Sequence, residues 1–335
     1  MRADVVLEGG GAKGVALAGA VAGLLDRGVE VQRVAGTSAG AIVAALVAAG
    51  LPGDRLARLA TDTALAELVP ETRLRWLGPP GRGLAAVLGR GQRDHRPLKA
   101  WLAEQLADLG VETFGDLALD DPDTGGSPLA AAGGRASSSR LVLAVSDVSR
   151  GRRVLLPWEL PDYGIDPARF RVVDAVAASA AIPVVFEPVR LHLAADAPVR
   201  VGARGREAVL VDGGLTSNYP VDVFDRTDGR RPRWPTIGVK LSARPDAPSP
   251  VARVSGPIGY LRAVVTTAVV AGDHQVLEDP CIVERTVFVD TADVGALEFD
   301  LTRAQRTELV ADGRAAADRW LDRWDEEAYL RRCRP

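Results

Sequence analysis

Apolar and polar positions in the first fifty residues switch between two periods. Residues 5–7 and 31–35 are short apolar runs of strand length, whereas 15–27 and 39–49 are long enough to predict helices. The order β-α-β-α is the mark of a parallel sheet with helices on its faces. Both strand-to-helix turns are rich in glycine. Residues 54–109 read as helical but irregular, broken at Gly78-Pro79-Pro80-Gly81 and Gly89-Arg90-Gly91, a pattern that suits a cover over a site. Residues 120–139, dense in Gly, Ser, Asp and Pro, predict a mobile loop.

Beyond that loop, residues 140–146 and 153–156 predict paired strands around Ser149-Arg150-Gly151, and 172–181 a helix ended by Pro183. A strand at 208–211 runs into Asp212-Gly213-Gly214. Residues 236–241 predict a buried strand, 243–257 a loop, 258–277 a long helix and 285–289 a last strand. A closing helix over 302–324 would carry Leu309, Ala316, Trp320 and Trp324 on one face. The chain has no evident internal repeat.

Composition narrows the function classes. The 335 residues are 47% hydrophobic and 25% charged, as in ordinary soluble globular domains. With 41 basic and 44 acidic residues the net charge is −3, so no positive field recruits phosphates, and nucleic acid is not expected as a partner. Cys281 and Cys333 are the only cysteines; the sequence predicts no disulfide framework and no CxxC metal site, and a reducing compartment fits. The N-terminus enters a strand within a few residues, leaving no room for a signal peptide, and the apolar run 39–49 is too short for the roughly 20 residues of a bilayer span. The expected location is cytoplasmic, with peripheral membrane contact left open.

The strongest chemical signal is Gly36-Thr37-Ser38-Ala39-Gly40, a GxSxG between a predicted strand and a predicted helix. Such a turn forces its serine into an elbow that exposes Oγ, and the following helix aims its N-terminal N–H groups at developing negative charge. A plain serine N-cap is the alternative. Gly9-Gly10-Gly11-Ala12-Lys13-Gly14 satisfies GxGxxG, but the acidic residue that a dinucleotide site wants roughly 20 positions on is missing, since Glu30 precedes the second strand. No GK[ST] follows for a P-loop. The glycines serve equally to bare backbone N–H groups of Gly10, Gly11 and Ala12 toward an oxyanion, with Lys13 either steadying the loop or simply solvated.

The base is the third requirement. His95 sits among charges in the cover, His192 in a strand, and His274 within a helix rather than a loop after a strand. Asp212 instead follows an apolar strand and precedes Gly213 and Gly214, which suits a buried carboxylate raised toward useful basicity, although a simple Asp-Gly turn reads the same way.

Taken together, the 9–14 loop, the 36–40 elbow and Asp212-Gly213-Gly214 resemble the three signatures of patatin-like phospholipases. Residues 178–188 and 217–221 resemble the same family, and the likeness runs over about residues 4–325. The resemblance implies an α/β, three-layer fold with a mostly parallel central sheet, helices on both faces and a helical cover, in one domain over 1–335: core about 4–241, cover about 54–110, C-terminal helices and last strand about 257–325. It implies an oxyanion hole at Gly10, Gly11 and Ala12, a nucleophile at Ser38 and a base at Asp212, supported by Gly9, Lys13, Gly14, Gly36, Gly40, Gly213 and Gly214, with no metal and no cofactor. The implied activity is lipid acyl hydrolysis of the phospholipase A or lysophospholipase kind. A soluble-substrate esterase, thioesterase or acyltransferase with the same dyad, and a non-catalytic nucleotide-binding protein, remain open alternatives. Apolar residues of the cover, among them Trp76, Leu77, Leu84, Val87 and Leu88, would face an acyl chain, a membrane or simply the core.

Overall fold

A computed structural model describes residues 1–70, 93–119, 139–183, 185–201, 205–226, 230–241, 254, 256–291 and 294–333. The expectations for Trp76, Leu77, Leu84, Val87 and Leu88, and for the loops at 120–138 and 242–253, lie outside these residues. The chain opens with β1 (Arg2–Leu7), α1 (Gly14–Asp26), β2 (Glu30–Gly36) and α2 (Ala39–Ala48), the predicted βαβα unit. Helices α3 (Gly53–Asp62), α4 (Leu65–Leu68) and α5 (Arg96–Ala107) follow. Next come the hairpin β3 (Leu141–Asp147) and β4 (Arg152–Leu156), then α6 (Val172–Ser179), β5 (Val189–His192), β6 (Glu207–Asp212), α7 (Gly214–Ser217) and β7 (Thr236–Lys240). The C-terminal part holds α8 (Gly256–Leu277), α9 (Pro280–Glu284), β8 (Thr286–Phe288), α10 (Arg303–Leu321) and α11 (Glu326–Cys333).

The strands form one sheet in the order β5-β6-β3-β2-β1-β7-β8, with β4 also on β3. From β3 to β8 every neighbouring pair is parallel, as the sequence pattern predicts. The pairs β3–β4, β3–β6 and β5–β6 are antiparallel. Strand β1 is buried from Ala3 to Leu7, as expected of a strand covered on both faces, and its one charged residue there, Asp4, is paired with Arg33 at 3.0 Å. Val5, Leu7 and Leu143 turn to the core shared with α1, α2, α6 and α10; Val6, Ala35 and Val142 turn to a second core with Trp158, Tyr219 and Phe224, against which Leu277 of α8 packs. Helix α10 begins with a capping box in which Thr302 and Gln305 satisfy each other's backbone N–H, and it crosses α1 so closely that a Cβ on Gly19 would lie 2.2 Å from the Val310 carbonyl oxygen.

The cysteine expectation is corrected. Cys281 of α9 and Cys333 of α11 form a disulfide with Cα atoms 5.6 Å apart, across 52 residues of sequence. The pairing depends on the docking of α11, which lies past the predicted end of the closing helix, so nothing local announces it. Cysteine count therefore no longer argues for a reducing compartment. Among the described residues no helix is long and apolar enough to cross a membrane.

Candidate active site

Strand β2 ends at Gly36, beside Leu7 of β1, so the two glycine-rich turns leave the sheet side by side. Ser38 heads α2 with φ 54° and ψ −121°, and is the only non-glycine residue with positive φ among those described. A non-glycine backbone held there costs about 1–3 kcal/mol and persists only when its surroundings impose it. Close packing imposes it here: a Cβ on Gly40 would lie 2.5 Å from the Glu8 carbonyl oxygen, Gly36 abuts Gly40, and Gly14 abuts Ala39. Ser38 itself is 5% exposed. The α2 N-terminus, with its positive dipole end, starts at this residue, and the Ala41 N–H of its first turn donates to the Ser38 carbonyl at 2.9 Å.

The 9–14 loop is held from behind. Buried Glu8 accepts from the Lys240 ammonium, the Leu241 N–H and, at 3.1 Å, the Asn218 side-chain amide, while Gly9 N–H donates to the Asn218 carbonyl at 3.0 Å. The N–H groups of Gly10 and Gly11 donate to no protein acceptor among the described residues. Gly11 has φ +56°, which favours glycine, and a Cβ there would lie 1.9 Å from the Ala296 carbonyl oxygen. That carbonyl also accepts the Ala12 N–H at 2.9 Å. Of the two or three donors expected from Gly10, Gly11 and Ala12, the Ala12 N–H is thus engaged, because the 294–299 segment lies across the loop. Lys13 is partly exposed, and its N–H donates to the Gly10 carbonyl at 3.2 Å.

Asp212 arrives by a route the sequence pattern does not reveal. Strand β3 continues past the level at which β2 stops, and β6 returns antiparallel along that extension, with Val145 opposite Asp212. The end of β6 thus meets the end of β2. Oδ1 of Asp212 accepts the Gly214 N–H at 2.7 Å, and the buried Oδ2 has no hydrogen-bond partner among the described residues. Burial pushes the carboxyl up to about 6 from its ordinary 3.8, opposed by the Ser38 hydroxyl and the Gly214 N–H. Hydrogen bonding from the Ser38 hydroxyl is one of the two influences that lower the Asp212 pKa, although the pair does not reach ordinary hydrogen-bond length and angle. Contacts of this kind commonly tighten only when substrate binds.

Two buried serines missed at the sequence level organise this turn. Ser146 Oγ donates to the Asp212 carbonyl at 2.8 Å and lies 2.8 Å from Thr216 Oγ1. Ser179 Oγ donates to the Ala144 carbonyl at 2.7 Å and accepts the Ser38 N–H at 3.0 Å, while the Ser179 carbonyl accepts the Gly213 N–H at 3.2 Å. Their only sequence signal is a hydroxyl inside an otherwise apolar run, Ala144-Val145-Ser146 and Ala177-Ala178-Ser179-Ala180.

Ser38 and Gly11 line a cavity that extends between α1, α2, α3 and α5, walled by Ile42, Val43, Leu46, Leu56, Leu98 and Trp101. Among the described residues no charged side chain lines it. Phe186 also lines it, and the His95 ring lies 6.2 Å from the Phe186 ring; burial lowers the His95 pKa. His192 is an exposed residue of edge strand β5 beside Glu207, at 3.7 Å. Neither histidine hydrogen-bonds to Ser38 or Asp212 among the described residues. His274 belongs to α8, and its side chain lies outside the description.

Residues 5–225 match the family model described as patatin-like phospholipase. The uncharacterized protein YqhO of Bacillus subtilis (strain 168) is 30% identical over 331 residues, covering 97% of this chain and 99% of that protein. The chain belongs to the patatin-like phospholipase family. Solved structures similar to this patatin-like protein include VipD from Legionella pneumophila, with TM-score 0.49 and 15% identity over 96% of this chain and 66% of that one. Another is ExoU in the ExoU–SpcU complex of the type III secretion system of Pseudomonas aeruginosa, with TM-score 0.46 and 18% identity over 98% of this chain and 52% of that one. The chain thus spans about two thirds of VipD and about half of ExoU. Family membership supports lipid hydrolysis in general terms. The matched span of the patatin-like protein holds the 9–14 loop, Ser38, Ser146, Ser179 and Asp212, and stops before the 294–299 segment that covers Gly11.

Proposed function

We propose that the protein hydrolyses acyl esters of lipids with Ser38 as nucleophile and Asp212 as its base. The observation that carries this reading is a strained serine beside a buried carboxylate oxygen, at the wall of a cavity lined, among the described residues, by no charged side chain. Ser38 Oγ attacks the ester carbonyl carbon and its proton passes to Asp212. The carbonyl oxygen takes the electron pair as an oxyanion, held by the N–H groups of Gly10 and Gly11 and by the first turn of α2. Collapse breaks the bond to the leaving alcohol, which receives the proton from Asp212, and the acyl group stays on Ser38. Water then attacks the acyl carbon, gives its proton to Asp212, and the fatty acid leaves as Ser38 recovers its proton. A carboxyl near 6 is ionised at neutral pH yet basic enough to share in both transfers.

The cavity sets the acyl portion of the substrate. From Ser38 to Leu46 along α2 is about 12 Å at the rise of a helix, against about 15 Å for half the hydrocarbon thickness of a bilayer. A medium to long chain fits that length, and among the described residues no charged group there would oppose it. Peripheral contact with a lipid surface is the access this reading requires. The test compares phosphatidylcholine and lysophosphatidylcholine vesicles with short p-nitrophenyl esters and acyl-CoA. Long-chain lipid esters are expected to turn over fastest, and activity confined to the soluble substrates would contradict the lipid assignment while leaving the dyad intact.

A further inference from the structure

We infer that Ser179 is a positioning residue for the nucleophile: its hydroxyl holds the Ser38 N–H and with it the strained elbow, while its carbonyl ties the same point to the turn that carries Asp212. The inference rests on the reading of Ser38 and Asp212 as nucleophile and base.

Ser179 is fully buried at the last position of α6. Its hydroxyl proton is committed to the Ala144 carbonyl at 2.7 Å, which leaves a lone pair to face the Ser38 N–H at 3.0 Å. The oxygen is therefore oriented as an acceptor. Ser38 needs one, because an N-cap residue receives no help from the helix it starts for its own N–H, and no other acceptor meets that group among the described residues. Without Ser179 Oγ the elbow would combine an unfavourable backbone with a buried donor lacking an acceptor. Both are relieved by rotating Ser38 toward ordinary φ, which swings Oγ away from Asp212.

The Asp212 side of the link behaves differently. That turn is also held by Ser146 Oγ on the Asp212 carbonyl, by the Ala181 carbonyl on the Asp212 N–H at 2.9 Å, and by the Gly214 N–H on Oδ1. The Ser179 contribution there comes from its backbone carbonyl, which survives any side-chain change. Removing the hydroxyl should thus loosen the nucleophile and leave the base where it is. A purely structural serine would lower stability without this asymmetry.

The test uses Ser179→Ala, and Ser179→Cys as a variant of similar volume whose sulfur is a weak acceptor. Fluorophosphonate labelling of Ser38 is measured per folded molecule, together with kcat, KM and the pH profile on one lipid ester. In both variants labelling rate and kcat are expected to fall about 10- to 100-fold, with KM within about twofold of wild type. The acid limb of the profile is expected to stay at or somewhat above pH 6, since burial and the Gly214 N–H still act on Asp212 and only the Ser38 hydroxyl, which opposes the upward shift, is withdrawn. Wild-type labelling rates in the variants would overturn the inference, and so would an acid limb that shifts together with KM, because that reports general loosening of the site. If Ser179→Ala does not fold, Ser179→Cys decides. Wild-type protein that reacts at a residue other than Ser38 would overturn the parent reading, and this inference with it.

Discussion

Ser38 and Asp212 stand on turns built in opposite ways. The Ser38 turn is made by its neighbours: Gly36, Gly40 and the adjoining β1 turn press it into shape, and a single remote side chain, Ser179, touches its backbone N–H. The Asp212 turn is tied from distant segments, by Ser146 of β3 and by the carbonyls of Ser179 and Ala181 at the end of α6. The costs differ accordingly. At Ser38 the stored cost is conformational, a backbone angle that few residues tolerate. At Asp212 it is electrostatic, a carboxylate removed from water with one oxygen that no donor among the described residues reaches at ordinary hydrogen-bond geometry.

Changing the charge without changing the shape separates the two. Asp212→Asn is expected to lower hydrolysis by about 10²–10⁴-fold, the range of a lost general base. Wild-type kcat should fall as pH drops below about 6, where the carboxyl takes up its proton, and the residual rate of the variant should lack that limb. A variant that kept wild-type turnover would detach Asp212 from the chemistry.

The conformational half is broken at the 9–14 loop. Gly11→Ala puts a Cβ against the Ala296 carbonyl at a position of positive φ, and is expected to lower kcat by about 10²–10³-fold, as for a misplaced oxyanion donor. Gly28→Ala, at φ +81° with nothing within 4 Å, supplies the control: the same backbone penalty without effect on turnover. Equal losses in the two variants would reduce the loop to a folding element.

The smallest effect sharpens the electrostatic side. A carboxyl that holds its proton to about 6 when folded, against 3.8 ordinarily, binds protons more tightly in the folded state. Folded protein therefore loses stability as pH rises from about 4 to about 6, and bears the full cost above that. Asp212→Asn is expected to raise unfolding stability by up to about 3 kcal/mol at pH 8, with the gain vanishing below about pH 4. Denaturant titrations at the two pH values measure it, and a loss of stability at pH 8 would show that the carboxylate is not penalised by burial.

The same contrast decides how much was legible in the sequence. The elbow could be read because strand, turn and helix are consecutive, so period and glycine spacing in residues 30–49 carry its geometry. Asp212 could be found as an acid between an apolar strand and two glycines, but the antiparallel return of β6 along β3 could not, since strand direction depends on a connection dozens of residues long. Ser146 and Ser179 were hidden because a hydroxyl within an apolar run gains meaning only from the carbonyls it meets. Whether the loop bares two donors or three is hidden for a similar reason: the Ala12 N–H meets the carbonyl of Ala296, 284 positions away. The Cys281–Cys333 bond likewise required α9 and α11 to meet.

The central claim, that Ser38 is the nucleophile and Asp212 activates it, is tested most directly by mapping the fluorophosphonate adduct in wild type, Ser38→Ala and Asp212→Asn by mass spectrometry. The account predicts one adduct on Ser38 in wild type, none in Ser38→Ala, and slow modification of the same residue in Asp212→Asn. An adduct that persists in Ser38→Ala, or Asp212→Asn labelled as fast as wild type, would contradict it.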